Sequence, residues 1–503
     1  MRFSGPSTGD IVAGISVALV AIPQSLAYAE LAGLPPQYGL FASALPPLVA
    51  AFFVSSRYLQ TGPVALTALL TFGALSGLAE PGSTEYIELA ALLALMVGAA
   101  RLLLGLFRFG SVAYVLSEPV LAGFTTGAAI LIVSSQIPRI FDVERGDDGV
   151  VAEALKAIGD VSEWNWQAIL FALGTVVLIV GGRRIHTLFP GVLVAVVLSI
   201  VISSGLGYDG STVGQLDGDF LTLSLDMPWD SFGELVLPAL AIALVGFAEP
   251  SSIARKFAAQ DRLRWNANRE MISQGMANLA AGISGAFPVG GSFSRSSLNR
   301  LAGATSAWAG GITGAFVLLT LPLTPFIEDL PSSVLGAIVV VAVIKLIDFK
   351  AIWTIAVHSP VQGIVAAGTL VATLATSPNV ERGVLIGVVL SVMVHLYREL
   401  NVTIASDLQD RTLRVYPKGV LWFATVPQVE RLVRGELATE SEVDHVVFDL
   451  AGVGRMDYTG AAALGRMATA LEANGVRVDV INVAQGAVTS ARAHLASLLE
   501  PDD

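Results

Sequence analysis

The sequence predicts a polytopic α-helical membrane protein, with fourteen spanning segments in a seven-plus-seven inverted repeat and a small α/β domain at the C-terminal end. Three observations predict it. Up to about Arg398 the chain consists of long, nearly charge-free apolar stretches, and beyond that point it reads like an ordinary soluble domain. Over all 503 residues 54% are hydrophobic and 14% charged, with a mean hydropathy of +0.70, whereas soluble domains average about a quarter charged. Two short apolar segments, in corresponding places of the two halves, open through glycine-rich runs. The boundary falls at 402/403, giving a membrane domain of residues 1–402 and an α/β domain of residues 403–503.

A helix crossing the hydrocarbon core needs about 20 mostly apolar residues. By that measure the spans are 10–29, 38–54, 62–78, 86–106, 117–137, 165–182, 187–206, 233–251, 271–286, 293–304, 306–323, 331–348, 360–376 and 383–400. The first is read as a retained span and not a signal peptide. One arginine precedes Asp10, and the apolar run holds Pro23 and Gln24 without a clear small-residue cleavage site. The segments starting near Gly62 and Phe293 are entered through Thr61-Gly62-Pro63 and Gly290-Gly291-Ser292. Backbone without helical bonds at membrane depth is tolerable where protein or a water-filled cavity satisfies it.

Charge asymmetry fixes orientation. With the N-terminus inside, the cytoplasmic loops collect Arg57, Arg101, Arg108, Arg183, Arg184, Arg255, Lys256, Arg262, Arg264, Arg269, Arg300, Lys345, Lys350 and Arg398. The outside receives Arg139, Arg145, Lys156 and Arg382, the first three diluted by Asp142, Glu144, Asp147 and Asp148. An even number of crossings then puts both termini in the cytoplasm. The expected location is the cell (inner) membrane, multi-pass, with lipid as a partner and the α/β domain cytoplasmic.

The halves echo each other. Ala18-Leu19-Val20-Ala21-Ile22-Pro23-Gln24-Ser25 opens the first, and Ala243-Leu244-Val245-Gly246-Phe247-Ala248-Glu249-Pro250 opens the second, so Gln24 falls on Glu249. The glycine-entered short helix is the third segment of each half. Seven segments per half make equivalent helices cross in opposite directions.

Two half-helices whose N-termini face each other present unpaired N–H groups and two positive dipole ends, which together make an anion site. The residues feeding it are Gly62, Pro63, Val64 and Ala65 in one half, and Ser292, Phe293, Ser294 and Arg295 in the other. Arg295 adds a full positive charge; the alternative is that it snorkels or pairs with an acid. Glu249 is the other buried charge, read as a proton or cation coupling site or as a static partner of Arg295. Gln24 and Tyr28 lie about one turn apart and can face the same cavity.

Several chemistries are excluded. A net charge of −12 without a basic stripe argues against a nucleic-acid partner. The chain has no cysteine, and its five histidines are scattered. No metal, cofactor or catalytic residue is expected, and no acid–base–nucleophile set suggests an enzyme.

Ala21-Ile22-Pro23-Gln24-Ser25-Leu26-Ala27-Tyr28-Ala29 resembles the first-helix signature of the sulfate permease (SulP) anion transporters, also called the solute carrier 26 family. Thr61-Gly62-Pro63-Val64-Ala65 resembles the opening of that family's third helix. Its most characteristic stretch is similar to Asn268-Arg269-Glu270 through Gln274-Gly275-Met276-Ala277-Asn278, followed by Phe287-Pro288-Val289-Gly290-Gly291-Ser292-Phe293-Ser294-Arg295-Ser296. The resemblance implies core and gate subdomains, a homodimer and elevator-like alternating access. It implies that Gln24, Tyr28, Val64, Ser294 and Arg295 line the anion site and that Glu249 is the coupling acid. Members carry sulfate, bicarbonate, chloride, oxalate and dicarboxylates; valine at position 64, where some relatives have an aromatic residue, leaves room for an anion larger than chloride. The expected activity is secondary active, proton-coupled symport of a small anion. The alternatives are a sodium-coupled bicarbonate or sulfate symporter and an uncoupled exchanger or channel.

In the tail, Arg411–Tyr416 and Val420–Thr425 read as strands, and Pro427–Arg434 as a helix closed by Gly435. Val446–Leu450 and Val476–Val483 read as strands, and Tyr458–Ala473 and Ala487–Leu499 as helices. Val446-Val447-Phe448-Asp449-Leu450 through Met456-Asp457-Tyr458-Thr459-Gly460 resembles the STAS domain of sulfate transporters and anti-sigma-factor antagonists. A phosphorylatable serine follows the motif aspartate in regulatory members. Here Tyr458 stands in that place, and Asp457 suffices as a helix N-cap.

Overall fold

Ser7 and Asp10 start the first helix by capping each other. The Ser7 hydroxyl accepts the Asp10 N–H at 3.1 Å, and the Asp10 carboxylate accepts the Ser7 N–H at 2.9 Å. The same carboxylate accepts the Thr305 and Ser306 N–H groups at 2.7 and 2.8 Å, fixing the start of the helix to a turn nearly 300 residues away. The structure, a computed structural model, describes residues 5–111, 117–144, 146, 149–186, 189–214, 223–400, 402–440, 442–484, 487 and 495. They form two compact units, Met1–Ser391 and Val392–Asp503.

In the first half of the chain come α1 (Thr8–Leu31), α2 (Gln37–Phe53), strand β1 (Thr61–Gly62), α3 (Ala65–Leu75), α4 (Thr84–Leu106), α5 (Glu118–Phe141), α6 (Val150–Gly159), α7 (Trp166–Ile185) and α8 (Gly191–Leu206). The second half has α9 (Phe232–Gln260), α10 (Ala267–Ile283), strand β2 (Gly290–Gly291), α11 (Phe293–Leu301), α12 (Trp308–Thr320), α13 (Ser332–Val343), α14 (Phe349–His358), α15 (Pro360–Ala375) and α16 (Val380–Glu399). Each of the fourteen expected segments carries a helix. Among the described residues, eight helical stretches are long and apolar enough to cross a membrane, and the remaining spans are shorter.

The packing obeys the repeat. Exchanging the halves turns the α4–α10 pair into α12–α2, α1–α12 into α9–α4, α5–α15 into α13–α7, and α1–α11 into α9–α3; every one of these pairs is packed together. Helices α1–α4 and α9–α12 form one bundle, and α5, α7, α8, α13 and α15 a second. At the α4–α10 crossing the backbones nearly touch. A Cβ on Gly98 would lie 2.6 Å from the Leu279 nitrogen, and one on Gly275 2.7 Å from the Leu102 nitrogen, so glycine is required on both helices.

Three expectations about this unit need correction. Helix α9 does not end at residue 251 but continues past Pro250 to Gln260, because Ile253 and Phe257 are buried against Val54 and Leu59. Two ten-residue helices, α6 and α14, were not expected; each follows the fifth span of its half, so even these additions respect the repeat. Arg101, assigned to a cytoplasmic loop, is wholly buried in α4.

The second unit contains β3 (Thr403–Gln409), β4 (Thr412–Leu421), α17 (Val426–Thr439), β5 (His445–Asp449), β6 (Val453–Met456), α18 (Tyr458–Glu472) and β7 (Arg477–Ile481). Strands β3 and β4 form an antiparallel hairpin, and β5 and β6 pair with β4, and β7 with β5, in parallel. Val415, Leu421, Val433, Phe448, Leu464 and Val480 are buried in its core. Asp457 caps α18 by accepting the Gly460 N–H at 2.5 Å. Strands β3 and β6 were not foreseen. The expected strand Val420–Thr425 is instead the end of β4 and a turn, since β4 continues through Pro417 across a bulge at Gly419–Val420. The helix expected over Pro427–Arg434 runs through Gly435 to Thr439, where Leu437 still packs on the core. The expected Ala487–Leu499 helix lies, apart from residues 487 and 495, outside the described residues.

Candidate functional site

At the centre of the first unit, two pairs of residues make the shortest of sheets. Thr61 pairs with Gly291 and Gly62 with Gly290, antiparallel, so the chain enters α3 and α11 from opposite sides of one crossing point. The Ser292 N–H donates to the Gln60 carbonyl at 3.0 Å, extending the ribbon by one bond. A two-residue ribbon cannot hold itself, and buried side chains hold it here. Asn278 accepts the Val289 N–H at 2.9 Å and donates to the Val289 carbonyl at 3.1 Å. Gln274 donates to the Thr61 hydroxyl at 2.8 Å, Ser296 accepts the Gln60 N–H at 2.9 Å, and Asn299 donates to the Tyr58 carbonyl at 3.1 Å.

The two half-helices begin differently. Val64, the N-cap of α3, offers no side-chain bond, so the first-turn N–H groups of Ala65, Leu66 and Thr67 have no capping side chain. Ser292 caps α11 by accepting the Arg295 N–H at 3.4 Å, and its hydroxyl lies 3.3 Å from that of Ser294. Gly62 has a φ of +150°, which L side chains rarely adopt. A Cβ there would also sit 3.0 Å from Arg295 Nη1.

Arg295 is 2% exposed. Its Nη2 donates to the Pro63 carbonyl at 2.6 Å, while its Nε has no hydrogen-bond partner among the described residues. Glu249 lies near the Phe293 backbone N–H and interacts through space with Arg295, but the described residues contain no ion pair between them. The carboxylate is therefore not clamped by the guanidinium. Tyr28 is buried and feels both charges. Gln24, one turn earlier on α1, is buried, and its Oε1 has no hydrogen-bond partner among the described residues. The structure thus gathers Tyr28, Glu249 and Arg295 electrostatically at the ends of α3 and α11. Val64 and Ala65 are buried at the mouth of α3. Phe293 and Ser294, at the start of α11, are exposed. Phe293 is stacked on Phe257 with Lys256 Nζ 4.5 Å above its ring, and Ser294 is exposed.

Sequence reasoning missed Arg101. Its guanidinium donates to the carbonyls of Ile242 (3.0 Å), Ala243 (3.1 Å) and Val289 (2.9 Å), joining α4 to α9 and to the residue preceding β2. Gly246 makes room, since a Cβ there would be 2.5 Å from Nη2. It also missed the holding role of α10, although Glu270, Gln274 and Asn278 recur every fourth position along one face of an apolar helix.

Residues 8–369 match the sulfate permease family, and residues 403–493 match the STAS domain. The chain is 30% identical to sulfate transporter 4.1 (chloroplastic) of Arabidopsis thaliana over 520 residues, 94% of this chain and 75% of that one. It is 33% identical to a probable sulfate transporter of Mycobacterium tuberculosis (strain H37Rv) over 395 residues, 78% of this chain and 70% of that one. Its fold superposes on the inward-facing structure of murine solute carrier 26 family member A9, an anion transporter. The TM-score is 0.89 at 22% identity, covering 98% of this chain and 88% of that chain. On the transmembrane domain of the cyanobacterial bicarbonate transporter BicA the TM-score is 0.64 at 22% identity, covering 76% and 97%.

Proposed function

We propose that this chain, which belongs to the sulfate permease family, is a secondary active transporter that carries a small anion by proton-coupled symport. The family is one of anion transporters, not enzymes. Within it, the reading rests on one observation: the N-termini of α3 and α11 meet at the β1–β2 crossing beside Arg295, with a carboxylate, Glu249, that is left unclamped. Anion and proton then occupy neighbouring places. Helix N-termini and Arg295 attract the anion, while Gln24, Tyr28, Val64, Ala65, Phe293 and Ser294 complete its surroundings. Glu249 takes the proton that travels with it. Sulfate is the first substrate to test, because relatives at 30% and 33% identity are named sulfate transporters; bicarbonate and dicarboxylates follow.

The two bundles suit elevator-like alternating access, the bundle of α1–α4 and α9–α12 carrying the site against the other. We further propose a homodimer in the inner membrane, the N-terminus and a STAS domain of residues 403–503 in the cytoplasm, and a transport domain of residues 1–402. Uptake of labelled sulfate, bicarbonate and succinate into proteoliposomes, driven by an inward proton gradient, tests the function. Accumulation of one of them above equilibrium is the expected result. Accumulation that needs sodium, or flux that never exceeds equilibrium, would replace the proton reading with sodium symport or with exchange.

A further inference from the structure

A buried guanidinium normally faces a carboxylate, because taking a charge out of water is costly unless an opposite charge answers it. Arg101 breaks that pattern. It is 0% exposed, and its three hydrogen bonds all go to backbone carbonyls. Carbonyl dipoles orient and solvate the cation but leave its net charge in place. Among the described residues no carboxylate pairs with it, and on its flank Gly246 leaves no side chain: a Cβ there would meet Nη2 at 2.5 Å and Thr67 Cγ2 at 3.3 Å. Its partner Val289 directly precedes β2, and a Cβ on the next residue, Gly290, would lie 3.1 Å from Val64 Cγ2 at the mouth of α3. An unanswered positive charge is thus built into the rear wall of the place where the half-helices meet.

We propose that Arg101 is a specificity-determining charge, which makes the neighbouring site prefer divalent over monovalent anions without touching either. The proposal rests on the anion-site reading above and deepens it. The physical content is a scaling law. A fixed charge acts on a bound anion in proportion to the anion's own charge, so whatever factor Arg101 contributes to a monovalent ligand is squared for a divalent one. A unit charge roughly 10 Å away at an effective dielectric of about 20 contributes about tenfold in Kd for a monovalent anion, hence about a hundredfold for a divalent one. A purely mechanical rivet predicts something different: loosening α4 from α9 weakens both ligands by the same factor.

Two variants remove the net charge by independent routes. Arg101→Gln deletes it while keeping amide donors for the carbonyls. Asn278→Asp keeps Arg101 and the acceptor for the Val289 N–H, gives up the amide donations to the Gln274 and Val289 carbonyls, and puts a carboxylate oxygen beside the Val289 carbonyl that Arg101 also binds. A negative charge then stands one carbonyl away from the guanidinium, on a side chain of the same size. Arg101→Lys retains the charge. Binding of sulfate and of perchlorate, tetrahedral oxyanions of charge −2 and −1, is measured on the purified full-length protein by direct titration and by competition, with melting temperature recorded alongside.

The expected result is that Arg101→Gln and Asn278→Asp weaken sulfate by about the square of the factor for perchlorate, on the order of a hundredfold against tenfold, while Arg101→Lys keeps the wild-type preference. Equal losses for both anions, or no loss, in whichever of the two variants folds would overturn the proposal. The underlying site reading has its own control. If wild type binds neither anion, or Arg295→Ala binds both as wild type does, the anion site itself is misassigned and the Arg101 proposal falls with it.

Discussion

Replacing Glu249 by glutamine changes one atom and removes one titratable proton. The side chain touches little that depends on its charge: it lies near the Phe293 backbone N–H and senses Arg295 through space, with no ion pair to it among the described residues. Glutamine keeps an acceptor oxygen for that N–H. The cost in stability should therefore stay within about 1 kcal/mol, instead of the ~3–5 kcal/mol expected when one member of a buried ion pair is lost. Transport should respond very differently. One proton carried per anion down a gradient of one pH unit supplies about 1.4 kcal/mol, enough for about tenfold accumulation at zero membrane potential. Glutamine cannot release a proton, so the accumulation ratio should fall from about ten to one. Anion binding and gradient-free exchange should persist. The assay is labelled sulfate uptake into proteoliposomes with a clamped potential, on wild type and Glu249→Gln, with melting curves for both. Tenfold accumulation surviving in the variant would refute proton coupling through this residue. A collapse in melting temperature would instead restore the structural role for the pair.

Arg295→Ala removes the charge at the head of α11 and the 2.6 Å bond to the Pro63 carbonyl; anion affinity should drop about 100-fold, a loss in the ~2–5 kcal/mol range of truncated buried charge contacts, and titration at parental affinity would reject the site. Glu30 on α1 and Arg139 on α5 form a 2.6 Å ion pair between the two bundles, partly shielded from solvent. Glu30→Gln should bias the bundles towards separation by about 1 kcal/mol, roughly fivefold in population. Because the chain has no cysteine, labelling of a single cysteine introduced at the α1–α5 contact reads this directly, and an unchanged labelling rate would dismiss the pair as a latch. Gly246→Ala forces a methyl to within 2.5 Å of Arg101 Nη2 and should destabilise the protein by about 1–3 kcal/mol in thermal or denaturant unfolding; an unaltered melting curve would show that Arg101 is not held as described.

The spans were legible because apolar length is written in composition, and the half-helices because glycine runs interrupt them at matching places. What escaped notice had physical reasons. Helices α6 and α14 are ten residues long, about half a bilayer crossing, so a search for spans passes over them. Helix α17 runs through Gly435 because Val426, Val429, Val433 and Leu437 keep one face on the core, which outweighs a local cost of about 1 kcal/mol for glycine. Arg101 was hidden most thoroughly. An arginine five residues from the end of an apolar helix reads equally well as a residue reaching for the interface, and its actual partners are main-chain carbonyls, which leave no trace in side-chain identity. Glu249 and Arg295 could be singled out because both partners of a possible interaction are charged; only geometry could tell that no ion pair joins them among the described residues.

The hydrogen bonds around the ribbon also say which parts must travel together if the elevator reading holds. Two antiparallel residue pairs are far too short to persist alone. They persist because Gln274 and Asn278 on α10, Ser296 and Asn299 on α11, and Arg101 on α4 each hold a backbone group at or beside the strands. Asp10 ties α1 to the α11–α12 turn, and the glycine crossing ties α4 to α10. Any motion that separated these helices would strand buried polar groups, at about 1–3 kcal/mol each, whereas across to the second bundle α1 packs on α8 and α13 and meets α5 through the largely shielded Glu30–Arg139 ion pair. Sliding between the bundles leaves the ribbon's hydrogen bonds intact, whereas a rearrangement inside the first breaks them. The anion site, with both half-helices and Glu249, should move as one body.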